Sequence, residues 1–234
     1  MLATEVLDRI SIIEKNEFTY QEIFKILSNF PYMIETRIIR EAAKHLGVSD
    51  WVELVVLHRD LISHAESKKF SADDWVEILS VHPELSYWCS LEKICGEEVV
   101  ELLNVCPWMA SQYDFRKMDG CDWVELLKKQ PGLAEYCDFN KLTEYNWVEL
   151  LIRQPGLAEY CNFNKLNSGD LVFLLINQPG LAKHCDFNKL HGGDLSFLLI
   201  NQPGLAKHCD FNKLNRYDWV KLLISQPQFS NKKI

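Results

Sequence analysis

Seven prolines, Pro83, Pro107, Pro131, Pro155, Pro179, Pro203 and Pro227, stand 24 residues apart. A fixed period of this length marks a stacked repeat architecture and restricts the chain to a solenoid or a related array. One step back from Pro83 lies Arg59, where the flanking pattern persists without the proline. Pro31 lies 28 residues before Arg59, so the first junction carries four extra residues. The count is nine units, the last running only a little past its proline. Two units read FLLINQPGLAKHCDFNKL, from Phe173 and again from Phe197. Near-identity of this kind suggests recent internal duplication.

Numbered from the Trp of the DWVELL run, the unit begins at Trp51, Trp75, Val99, Trp123, Trp147, Leu171, Leu195 and Trp219. The column just before it is Asp50, Asp74, Glu98, Asp122, Asn146, Asp170, Asp194 and Asp218. A short oxygen side chain there predicts the helix N-cap. Glu53, Glu77, Glu101, Glu125 and Glu149 would then be N3 of a capping box. Unit positions 1, 4, 5 and 8, for example Trp123, Leu126, Leu127 and Gln130, share one helical face. Position 2 widens that face, and positions 3 and 7 point away.

Proline at position 9 ends this helix, because the residue before it is pushed out of the α region. Proline also suits the first turn of a second, short helix, Pro131 to Cys137 in one unit. Leu133, Ala134 and Cys137 would be its buried side. The tail DFNKL opens on a capping Asp, adds Phe139 and Leu142 to the core, and reads as a 3₁₀ turn. One unit cannot bury its apolar face alone, so stacking makes the core. The fold expected is all-α, an open α-solenoid of about nine 24-residue helix-turn-helix units. Nine layers at the spacing of packed helices would extend on the order of 80 Å.

Residues 1–50 are less repetitive and charged. They read as an N-terminal helical cap with a divergent first repeat, in which Ile23, Ile26, Leu27 and Pro31 keep the unit pattern. Residues 51–234 are the array, with a polar end from Ser230 to Ile234 expected to fray. The stretch Met1 to Phe18 mixes charges with apolar residues and does not read as a secretory signal. No apolar run approaches the roughly 20 residues of a membrane span. A net charge of −8 and a pI near 5.4 oppose duplex nucleic acid as a partner, since phosphate binding needs a basic stripe.

The unit D-W-x-x-L-L-x-x-Q-P-x-L-A-x-x-C-D-x-x-K-L resembles a repeat of uncharacterised bacterial proteins, over roughly residues 51–229. In period and helix alternation it is also similar to the leucine-rich variant repeat, with its α and 3₁₀ helices, and more broadly to HEAT-like and tetratricopeptide arrays. The resemblance implies architecture and, for function, binding of other macromolecules.

Cys89, Cys137, Cys161, Cys185 and Cys209 form a column. Stacked helices sit roughly 8–10 Å apart, too far for disulfides, which need Cα atoms closer than about 7 Å. Buried free thiols are expected, and with them a reducing, cytoplasmic setting. The pairs His184–Cys185 and His208–Cys209 replace Tyr136–Cys137 and Tyr160–Cys161. A place that accepts either ring favours packing or recognition over a metal, which needs about four converging ligands. The regular glutamate column offers no pair of unlike carboxylates for acid–base catalysis. Capping and the i, i+4 pairs Glu125–Lys129 and Glu149–Arg153 account for it more simply. No catalytic or cofactor motif occurs, so no enzyme, metal or cofactor is expected.

Three outward positions change together between the Trp147 and Leu171 units. Position 3 turns from Glu to Phe173 and Phe197. Position 13 turns from Glu to Lys183 and Lys207, and position 14 from Tyr to His184 and His208. A fixed framework with a few changing outward residues is how a solenoid tunes a binding face. The expected function is a non-catalytic protein-binding scaffold that uses these six residues. The alternative is an acidic inhibitor that mimics nucleic acid in a basic groove. A helical-repeat nucleic-acid enzyme would need a basic concave face, which the low pI opposes.

Overall fold

A computed structural model describes residues 18–231. The expectations for Met1 to Phe18 therefore fall almost wholly outside the described residues, as do those for the last three positions. Every described element is helical: ten α-helices alternate with sixteen short 3₁₀ helices, and no strand occurs among the described residues. The chain divides into two compact units, Met1–Ile94 and Cys95–Ile234. Each is an all-α stack of repeats.

In the C-terminal unit the repeat is an α-helix, a 3₁₀ helix and a 3₁₀ turn. One copy runs Gly120–Lys129, Pro131–Tyr136 and Phe139–Lys141. Its sister α-helices are Glu97–Val105, Glu144–Arg153, Ser168–Asn177, Gly192–Asn201 and Arg216–Ser225, each packed on the next. The N-terminal unit uses the same plan in Val48–Leu57 and Ala72–Val81. Its first repeat instead inserts the short helix Arg37–Ala43 after Pro31–Glu35, which absorbs the four extra residues.

The buried columns follow the helical period. In the Trp123 helix, Trp123, Val124, Leu126 and Leu127 are at most 1% exposed. Proline acts as expected: Gln130, the C-cap, leaves the α region at φ −125° and ψ 67°, and Pro131 opens the 3₁₀ helix. That second helix is 3₁₀, and it buries Leu133 and Ala134 but leaves Cys137 half-buried. Asp138 caps the following turn by accepting from the Asn140 N–H at 3.2 Å.

The capping assignment is corrected. The N-cap lies three residues before the Asp column, at Ser71, Asp119, Thr143, Asn167 and Asn215. The Asp column is N3: Asp122 accepts from the Asp119 N–H at 3.0 Å, and its own N–H donates to Asp119 at 2.9 Å. These earlier residues cap as well as Asp does, and starting there adds a turn of helix. The glutamates therefore sit in mid-helix and cap nothing. Gly96 is the exception among the caps. Its φ of 59° lies where only glycine rests without strain.

Two ladders bind one repeat to the next. Gln154, Gln178, Gln202 and Gln226, at position 8, each donate Nε2 at 2.7 Å to a carbonyl in the last turn of the preceding helix. Those carbonyls have no partner within their own helix. In the N-terminal unit His58 and His82 reach the Ser28 and Val56 carbonyls from the same position. The second ladder is lysine. Lys141 Nζ donates to the Arg116 and Met118 carbonyls at 2.9 and 2.6 Å, closing the preceding 3₁₀ turn. Lys189 and Lys213 repeat this arrangement.

Candidate interaction surface

The helix Ser168–Asn177 buries Leu171, Val172, Leu174 and Leu175. Position 3 therefore points away from the core, and Phe173 is 57% exposed. Phe197 is 56% exposed at the same place on the adjoining helix Gly192–Asn201. Asn177 and Asn201 donate to the Phe173 and Phe197 carbonyls at 2.8 Å. Neither ring has a ring partner among the described residues, so each costs the free protein an exposed apolar surface. On adjacent packed helices they make an apolar strip.

Lys183, His184, Lys207 and His208 occupy a different layer. They lie on the 3₁₀ helices Pro179–His184 and Pro203–His208, whose buried residues are Leu181, Ala182 and Leu205. Both lysines are exposed. Lys183 and His184 border a shallow groove of 530 Å³ between consecutive 3₁₀ helices, and Lys207 and His208 border the next, of 520 Å³. Neither groove includes Phe173 or Phe197, and no described contact joins the two groups.

The histidines have a packing role. His184 stacks on Phe163 with centroids 5.3 Å apart and planes 13° from parallel, and His208 stacks on Phe187 at 5.1 Å and 19°. Tyr136 and Tyr160 stack on Phe115 and Phe139 in the same way. The change from Tyr to His thus keeps a flat ring on a flat ring. The Phe column 115, 139, 163, 187 and 211, repeating beside a Tyr or His column, was the available signal for this ladder.

The glutamate column is also engaged. Lys128 forms ion pairs with Glu125 and with Glu149 of the next helix, rather than the expected Glu125–Lys129 and Glu149–Arg153 pairs. Burial alone would depress the Lys128 ammonium, but its hydrogen bonds to both carboxylates outweigh this and raise its pKa.

No disulfide occurs among the eight cysteines. Burial pushes the thiols of Cys137 and Cys161 up to about 12 and those of Cys185 and Cys209 up to about 11. These four are expected to resist alkylation at neutral pH until denaturant is added, while exposed Cys95 and Cys121 react at once. Rapid labelling of all six in native protein would refute the packing. In the unfolded chain thiols ionise near about pH 8.5. The stabilisation from keeping these four neutral is complete below that pH and is lost as pH rises toward 11 to 12.

Among the described residues no cluster of His, Cys, Asp and Glu is placed to hold a metal ion, and no helix is long and apolar enough to cross a membrane. No protein-family model, curated protein or solved structure matches this chain.

Proposed function

We propose that this chain is a non-catalytic scaffold that binds another protein through the helix ridge carrying Phe173 and Phe197. The observation that supports this is two aromatic side chains, each more than half exposed, at one position of two adjoining and nearly identical repeats. Capping does not explain them, and the neighbouring framework residues Leu174, Leu175, Leu181 and Ala182 are those of the earlier repeats. Aromatic side chains on a rigid ridge are the usual anchors of protein interfaces. Lys183, His184, Lys207 and His208 stand on the other layer, and with the histidines committed to stacking they add little to this ridge. Half-buried, unlinked thiols favour a cytoplasmic setting. The alternative, an acidic mimic of nucleic acid, draws on the glutamate row, where Lys128 already neutralises Glu125 and Glu149.

Replacing Phe173 and Phe197 together with Glu, the residue of the earlier repeats, tests the reading. Stability is expected to change by less than about 0.5 kcal/mol, while the partners recovered by the wild-type chain in quantitative affinity capture are lost. A sharp fall in melting temperature would make these rings part of the core. An unchanged set of partners would remove the site.

A further inference from the structure

The two grooves on the 3₁₀ layer differ in charge. The groove between Pro155–Tyr160 and Pro179–His184 is lined by Glu159 as well as Lys183. The next, between Pro179–His184 and Pro203–His208, is lined by Lys183 and Lys207 and by no carboxylate. Both lysines are exposed, and neither forms an ion pair or a hydrogen bond among the described residues. Lys128, Lys189 and Lys213, by contrast, are committed to carboxylates or carbonyls. Two unneutralised ammonium groups lining one groove stand out in a chain of net charge −8.

Bare backbone lines the same groove. A methyl group on Gly180 or Gly204 would meet nothing within 4 Å, and neither glycine has a positive φ. Packing and backbone conformation therefore do not demand glycine there, and Asp60, Glu84 and Trp108 hold the same place in sister repeats. Glycine leaves the main chain open to close approach by another chain. The remaining walls are held in place. His208 lies flat on Phe187 at 5.1 Å. Gln202 commits its Nε2 to the Ile176 carbonyl at 2.7 Å, which leaves its Oε1 to accept an N–H from a bound backbone.

We infer that this groove binds an extended acidic segment of another protein, in the polyproline II conformation, with two of its carboxylates on Lys183 and Lys207. Stacked repeats sit roughly 8–10 Å apart. A polyproline II chain turns once every three residues, over about 9 Å, so every third side chain points the same way at that interval. Its backbone makes no internal hydrogen bonds, and its N–H groups are free for Gln202. Complementary charge selects an acidic segment over a neutral one. The groove uses neither Phe173 nor Phe197, so this reading and that of the ridge fail separately.

The probe is a fluorescent peptide with glutamate at every third position, and its glutamine counterpart is the comparator. Anisotropy titration of the full chain at low salt is expected to show saturable binding, at least about tenfold tighter than the glutamine peptide and weaker as salt rises. Lys183→Glu with Lys207→Glu, which installs the residue of Glu135 and Glu159, should weaken binding about tenfold or more at an unchanged melting temperature. Gly204→Trp, copying exposed Trp108 of a sister repeat, should block the groove. Glu159→Lys should tighten binding about threefold or more by extending the basic row. Phe173→Glu with Phe197→Glu should leave the affinity as it is. Absence of saturable binding, equal affinity for the glutamine peptide, or wild-type affinity in the folded lysine or Gly204 variant overturns the site. An oligothymidylate bound as tightly as the glutamate peptide overturns a protein segment as its occupant.

Discussion

Trp123→Ala is expected to destabilise the protein by about 3–5 kcal/mol. The indole is fully buried and stacks on Phe115 at 5.0 Å. Its removal leaves a cavity beside a phenylalanine that would then keep only Tyr136 as a stacking partner. Each repeat of a stacked array is stabilised chiefly by its neighbours, so the damage should begin at this layer. Urea denaturation followed by circular dichroism measures the loss, and hydrogen exchange should show the helices Gly120–Lys129 and Glu144–Arg153 losing protection first. Trp123→Leu should cost clearly less. Leu171 and Leu195 occupy the same place in sister repeats and are fully buried there, and the change removes an indole N–H that has no hydrogen-bond partner. A cost below about 1.5 kcal/mol for alanine would mean that the site collapses around the gap and that this column does not hold the layers together.

The second large effect belongs to the glutamine ladder. Gln154, Gln178 and Gln202 each satisfy a carbonyl at the end of the helix before. Removing one amide both loses a bond and strands a part-buried acceptor, at about 1–1.5 kcal/mol each. The triple alanine variant should lose about 3–4.5 kcal/mol. Gln154 and Gln202 are two repeats apart and share no partner, so their separate costs should add to within about 0.5 kcal/mol. Gln178→His should recover much of the loss, because His58 and His82 do the same work in the N-terminal unit. A triple variant as stable as wild type would show that solvent satisfies these carbonyls and that apolar packing alone sets the stacking.

The proline period made the repeat legible, and the spacing of Trp, Val and Leu within each unit made the buried face legible. Helix ends were harder. Asp at the column before Trp and Ser, Thr, Asp or Asn three residues earlier are all competent caps. The longer helix took the earlier residue and made Asp its reciprocal partner at N3. The exposure of Phe173 and Phe197 follows from the same helical period, so the ridge could be read from the chain. The grouping of that ridge with Lys183 and Lys207 could not, because whether two outward residues share a layer depends on how helix and 3₁₀ segment fold back on one another.

Position 8 shows where local reading stops. Gln130 looks like the end of an apolar face, yet its amide works 26 residues away on the Asn104 carbonyl. The amino-acid sequence by itself determined the repeat length, the breaks at proline and the buried columns, since these depend on backbone sterics and on periodicity within one unit. The tertiary structure decided which side chains of one unit complete the hydrogen bonds and ring stacks of another, because that depends on the distance and rotation between layers, set jointly by all the packed side chains.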